Sequence, residues 1–239
     1  MRKLAVAIAL ASTAMASSAL ARDKAWYIGA EGGAMIVEDV RFNIGTTVNA
    51  STAKQKVGYD VDGIIGYDFG PFRAEAEVAY KQSQVKSYNS LLTTFRGTAA
   101  QGSVPAGQYN GAAGQTSALS FMINGMFDFG DDDSLSGFVG GGAGVARVKY
   151  NNYSISPSGN FLDDSDTVFA WQGIAGIRAP LTDHIDVGLK YRFFNASRVD
   201  LVGALGQPWR TRFRSHSILG SFIYNFGEPA APPPPPPPP

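Results

Sequence analysis

Few side chains in this chain could do chemistry. It has two histidines, no cysteine, and 20 Lys+Arg against 20 Asp+Glu over 239 residues. Without cysteine there is no thiol nucleophile, no disulfide framework and no thiolate metal site. A hydrolytic site needs a histidine aligned with a serine and an acid. His184 instead sits in a short polar connection beside Asp183 and Asp186, and His216 lies between Ser215 and Ser217 on what the alternation makes an outward face. No catalytic residue is assigned and no enzymatic activity is expected. The run Gly140-Gly141-Gly142-Ala143-Gly144 lacks the Lys-Ser/Thr of a phosphate loop,. Asp131 to Asp133, and Asp163, Asp164 and Asp166, lack the spacing and terminal Glu of a calcium loop,. No metal or cofactor is expected. The zero net charge removes the electrostatic footprint of a nucleic-acid binder,.

What remains is a set of charges that recur at every second position. Ile185, Val187, Leu189, Tyr191 and Phe193 alternate with Asp186, Lys190 and Arg192; Ala74, Ala76, Val78 and Tyr80 alternate with Arg73, Glu75, Glu77 and Lys81. Tyr59, Val61, Ile65, Tyr67 and Phe69 oppose Asp60, Asp62 and Asp68, and Phe121, Ile123, Phe127 and Phe129 oppose Ser120, Met122, Asn124, Met126 and Asp128. A helix would scatter such charges around its circumference, whereas a strand puts them on one face. The elements that must position them are eight strands, at about 25–37, 56–69, 72–87, 116–129, 136–150, 166–179, 185–197 and 211–226. The fifth is glycine-rich and its facing is ambiguous. Short links follow the second, fourth and sixth strands. Long polar links, about 38–55, 88–115, 151–165 and 198–210, follow the odd ones. This is the layout of an eight-stranded antiparallel up-and-down transmembrane β-barrel, with turns on the periplasmic rim and loops outside. A strand of about 13 residues, tilted by about 40°, rises about 33 Å, enough to cross the apolar band.

The charges also decide which face is inside. Glu31, Asp60, Asp62, Asp68, Arg73, Glu75, Glu77, Lys81, Asp128, Arg178, Asp186, Lys190 and Arg192 cannot line an apolar ligand cavity, but as a mixed-sign set they can pair across a narrow lumen,. The opposite face carries Trp26, Tyr67, Phe69, Phe127, Phe129, Trp171, Tyr224 and Phe226, as interfacial girdles require,. At the start, Arg2 and Lys3 precede an apolar run and Ala19-Leu20-Ala21, so residues 1–21 read as an export signal,. Residues 22–228 form the barrel portion. Residues 229–239, ending in Pro232 to Pro239, read as an extended polyproline tail or hinge on the periplasmic side,.

Several segments resemble the OmpA-like family of outer-membrane proteins. These are the entry Trp26-Tyr27-Ile28-Gly29-Ala30-Glu31, the turn from Gly66 through Pro71 to Glu75, the stretch Ile174 to Thr182, and the close from Ser215 to Phe226. The resemblance spans about residues 25–227, strongly in strands and hardly at all in loops. It implies an eight-stranded barrel in outer-membrane lipid, both termini periplasmic, loops outside, and a terminal strand handled by the barrel-assembly machinery through Phe222, Tyr224 and Phe226. Family members often continue past a proline-rich hinge into a peptidoglycan-binding domain. No residue here matches that domain, so peptidoglycan binding is not expected of this chain. The expected role is structural and surface-presenting, with extracellular partners met through the loops. Tyr153, Phe161 and Trp209 are possible contact points, although loop aromatics more often pack on their own rim. A narrow porin-like channel through the charged lumen and a soluble or periplasmic ligand-binding barrel remain the alternatives.

Overall fold

The computed structural model describes residues 24–95, 102–130, 134–155 and 159–227. The export signal, the three consecutive aspartates Asp131 to Asp133 and the proline tail lie outside the described residues. In chain order the strands are β1 Trp26–Val37, β2 Val40–Ile44, β3 Thr47–Gln55, β4 Gly58–Asp68, β5 Phe72–Ser90, β6 Thr94–Phe95, β7 Ser103–Val104, β8 Gly107–Tyr109, β9 Ala113–Phe129, β10 Ser136–Ser154, β11 Leu162–Pro180, β12 Ile185–Val202 and β13 Pro208–Asn225. β1 pairs with β4 and with β13, and the antiparallel pairs β4–β5, β5–β9, β9–β10, β10–β11, β11–β12 and β12–β13 complete a closed ring. Closure leaves no unpaired edge, the condition for a sheet to stand in lipid. The ring is the eight-stranded antiparallel barrel that the alternation predicts.

The register of the glycine-rich β10 is resolved: Phe138, Ala146, Val148 and Tyr150 are buried and Val139 and Val145 exposed, which turns Gly140, Gly142 and Gly144 inward. A Cβ at any of the three would strike the backbone of β9, at Gly125, Ile123 and Phe121 respectively. The run lets β9 and β10 approach closely at these positions,.

Among the described residues, the segment expected as the first long polar loop is ordered as wall, and parts of the other three extend it. Residues 38–55 form the hairpin β2–β3. β2 pairs with β13 at Trp209↔Ile44 and Arg210↔Asn43, and β3 pairs with β5 from Ser51↔Ser90 to Gln55↔Val85. Above the top of β1 and β4, this hairpin takes their place in the ring. β5, β10, β11 and β12 likewise run several residues past their expected extracellular ends.

The reason is a change in which face is apolar. Outward positions on β13 run Tyr224, Phe222 and Ile218, then His216, Arg214, Arg212 and Arg210. Inward positions over the same height change from Ser217 and Ser215 to Phe213 and Trp209, with the parity unbroken. On β10 the exposed Val139 and Val145 give way to Arg147 and Lys149, while inside lie Val148 and Tyr150. From Phe226 to His216 the wall rises about 25 Å at a tilt of about 40°, the height of a bilayer's apolar band.

Candidate functional site

The barrel interior collects every charge assigned to the lumen, in two tiers. Near the periplasmic rim, the Arg73 guanidinium donates to both oxygens of Asp128, Nε to Oδ2 at 2.8 Å and Nη2 to Oδ1 at 2.9 Å. Arg178 Nη2 donates to Asp68 Oδ2 at 3.2 Å and lies 3.9 Å from Asp128 Oδ1. Glu75 lies 3.8 Å from Arg73 and accepts the Tyr27 hydroxyl at 2.8 Å. Arg73 also lies over the Phe138 ring, 5.0 Å from its centroid. Asp186 accepts from Asn225 Nδ2 at 3.0 Å.

Higher up, Arg192 is the hub. Its Nη1 donates to Asp60 at 3.1 Å and its Nη2 to Asp62 at 2.8 Å, with Glu77 at 3.1 Å and Glu31 at 3.5 Å. Lys190 pairs with Glu31, and Lys81 Nζ lies 3.3 Å from Asp60. Neutral donors add to these pairs: Ser217 to Asp60 at 2.7 Å, and Asn124 and Gln172 to Glu77 at 2.9 and 3.0 Å. Arg192 and Lys81 are fully buried. A fully buried guanidinium is tolerable only where carboxylates surround it in this way.

Above this lattice the interior becomes apolar, which the sequence reading did not expect. Lys81 Nζ lies under the Phe194 ring, 4.6 Å from its centroid, at the boundary. The upper core contains Phe42, Tyr88, Tyr150, Tyr153, Phe161 and Trp209. Phe42 meets Trp209 edge-on at 5.2 Å, Phe161 stacks on Trp209 at 5.7 Å, and Tyr88 packs on Phe161 at 4.7 Å. The Tyr153 hydroxyl accepts from Gln55 Nε2 at 2.8 Å and shares a 2.6 Å hydrogen bond with Thr116. Burial pushes the Tyr88 phenol, above the membrane band, up to about 12, and raises Tyr150 and Tyr153 as well. Tyr153, Phe161 and Trp209, considered as loop contact points, are therefore plug residues, with exposures of 0%, 3% and 2%.

Sequence reasoning also missed Asn124, Gln172 and Tyr27 as members of the lattice. The signal was available, since each lies on the inward parity of its strand. On the outer face Trp26, Phe69, Phe127, Phe129, Trp171, Tyr224 and Phe226 are exposed and Tyr67 half-buried, as the girdle requires. His216 faces outward, sharing a 2.8 Å hydrogen bond with Tyr191, and His184 stacks on Tyr224 at the turn rim. Among the described residues no cluster of His, Asp and Glu is arranged to hold a metal ion.

A closed ring of eight strands, with a lipid-facing apolar band, aromatic girdles and a charged interior, defines a small outer-membrane β-barrel. Residues 6–226 match the family model described as the outer membrane protein beta-barrel domain, and the chain belongs to that family. It is 30% identical over 147 residues to outer membrane protein PagN of Salmonella typhimurium, a match covering 57% of each chain. It is 26% identical over 232 residues to the putative adhesin RP828 of Rickettsia prowazekii, covering 91% of this chain and 96% of that one. Among solved structures, the outer membrane protein OprG of Pseudomonas aeruginosa superposes with a TM-score of 0.54 at 14% identity, over 87% of this chain and 99% of that one, a likeness of fold. The OmpA-like resemblance thus broadens to small outer-membrane barrels in general. The protein resides in the outer membrane, with its loops extracellular and both barrel ends periplasmic. One relative is described as an outer membrane protein and the other as a putative adhesin, in keeping with a non-catalytic role.

Proposed function

We propose that the protein is a sealed platform of the outer membrane: it anchors in lipid, contributes to envelope integrity and displays its extracellular extension to outside partners. The observation that carries this reading is the two-tier filling of the interior. The Arg192 lattice spans the lumen at membrane height, and the aromatic core around Trp209 closes it above. An eight-stranded wall leaves room for side chains and little else. The likeness to a putative adhesin supports contact through the extracellular rim. Phe222, Tyr224 and Phe226, outward on the strand that closes the ring, suit recognition of that strand by the assembly machinery. The OmpA-like plan of a barrel followed by a proline hinge belongs to the same proposal. Planar-bilayer recordings of the refolded chain test it: at most small, flickering conductance is expected. Large, steady, water-filled openings would instead establish the porin-like alternative.

A further inference from the structure

On the outer wall, just above the apolar band, five arginines surround one groove. The seam between β13 and β2 is hydrogen-bonded at its top, where Arg210 pairs with Asn43, and closed at its bottom, where the Glu38 amide donates to the Arg214 carbonyl at 3.0 Å. Between these points the strands part, bridged by the Thr211 hydroxyl donating to the Arg41 carbonyl at 2.7 Å. The opening, about 450 Å³, is lined by Arg41, Arg198, Arg210, Arg212 and Arg214 together with Ser197. Arg210 is held by Asp200 at 2.6 Å, and Arg214 lies 3.8 Å from Glu38. Among the described residues no carboxylate lies within ion-pair distance of Arg41, Arg198 or Arg212, and all three are exposed.

Arg198 is placed there by a bulge. The β12–β13 register shifts between Ala196 and Val199, and Arg198 adopts φ 61°, a left-handed backbone that a long side chain rarely accepts,. Bulges of this kind re-aim a side chain, and a strained residue on a closed wall is a pointer to function. Unneutralised like charges in one groove repel, and guanidinium forks match phosphate oxygens in pairs.

We propose that this groove binds the phosphate groups of a glycolipid in the outer leaflet. Its position argues for a lipid over a soluble polyanion. Directly beneath it the outward face of β13, β12 and the neighbouring β1 is apolar: Ile36 on β1, Ile218 and Phe222 on β13, and Leu189 on β12 are all exposed. Arg214 stands about 10 Å above Ile218, so a headgroup in the groove would lay its acyl chains along this stripe. Approach from the medium is less favourable, because the neighbouring rim carries Asp163, Asp164, Asp166 and Asp200. The proposal rests on the outer-membrane placement of the barrel and is independent of whether the loops contact a partner.

Native mass spectrometry of the full refolded chain tests it, with a diphosphorylated, multiply acylated glucosamine disaccharide and its dephosphorylated form as probes. The variant R41Q/R198N/R212Q removes the unpaired cations, and asparagine tolerates the left-handed backbone at position 198. K54Q/K56Q/K86Q removes equal charge from the wall formed by β3 and β5. Cold versus boiled gel mobility establishes that each variant is folded, and R212Q alone serves if the triple variant is not. Wild type and the lysine variant are expected to retain the diphosphorylated lipid, and the arginine variant to retain about tenfold less. The dephosphorylated probe should bind about tenfold more weakly to wild type. Equal retention by both triple variants, or equal binding of both probes, overturns the proposal. Displacement by inorganic phosphate or a soluble sulfated oligosaccharide at matched concentration would assign the groove to a soluble anion and overturn the lipid assignment.

Discussion

Replacing Arg192 with methionine is the sharpest test of the interior lattice. Its guanidinium lies within 3.5 Å of four carboxylates, those of Asp60, Asp62, Glu77 and Glu31. The loss is not four times that of a single pair, because three of the four keep other partners. Asp60 retains Lys81 and Ser217, Glu31 retains Lys190, and Glu77 retains Asn124 and Gln172. Asp62 has Arg192 as its ion-pair partner among the described residues and is left buried with an uncompensated charge. Breaking one buried pair costs about 3–5 kcal/mol, and R192M is expected in that range. The double variant R192M/D62N removes the orphaned charge and should recover most of the loss, to within about 2 kcal/mol of wild type. The assay is reversible urea unfolding in lipid vesicles, followed by tryptophan fluorescence and by cold versus boiled gel mobility. A loss below about 1 kcal/mol for R192M would show that water solvates Asp62 and that the lumen is wet, refuting the sealed interior.

Lys190→Ala should destabilise by several kcal/mol for the same reason, about what one partner of a buried pair is worth, read in the same assay,. Trp209→Ala empties the centre of the upper core and should cost about 3–5 kcal/mol while opening the extracellular extension to proteolysis with the membrane band intact,. Gly142→Val drives a side chain into Ile123 and Asn124 of β9 and should lower the heat-modifiable folded fraction, with a penalty of about 1–3 kcal/mol,. Alkaline titration followed by tyrosinate absorbance should show Tyr88 ionising near 12, against about 10 in the unfolded chain,. Because the folded state holds that proton more tightly, stability should fall as pH rises from the unfolded value towards the folded one.

The membrane part of the fold was legible because one rule governs it. Within the band the charges face in and the outer face is apolar, so period-two alternation located the eight strands and the mixed-sign charges assigned Glu31 through Arg192 to the interior,. Partner choice was not legible. Arg192 reaches Asp60 from a strand 132 residues away, and which acid meets which base depends on the stagger of the closed ring, which no local pattern encodes,. The extracellular storey was misread for a different reason. Trp209-Arg210-Thr211-Arg212-Phe213-Arg214 alternates as cleanly as any strand, but its apolar members face inward. Under a single facing rule its first two residues, Trp209 and Arg210, read as the end of the polar link 198–210, and the expected strand begins only at Thr211. The same rule hid the β2–β3 hairpin, where Val40, Phe42 and Ala53 are the inward set.

That inversion follows from what each part of the wall touches. At membrane height the outer surface is already in a hydrocarbon solvent, so burying apolar side chains inside adds little driving force. The lumen can therefore be given to charges that fix a unique register through mutual pairing. Above the bilayer the outer surface meets water, and a wall with polar faces on both sides would have nothing to hold it closed. There the apolar residues must turn inward, and Phe42, Phe161 and Trp209 supply a core of the kind found in soluble barrels,. The crossover also dictates where outward cations appear. Arg214 and Arg147 are placed on their strands just where the apolar stripe ends, so the height at which the core changes character is the height at which the wall first meets lipid headgroups. Moving one therefore moves the other: replacing Arg147 with leucine would extend the outer apolar stripe beyond Val145 over a segment whose interior is already apolar, removing the polarity difference that sets the depth of the barrel in the membrane,.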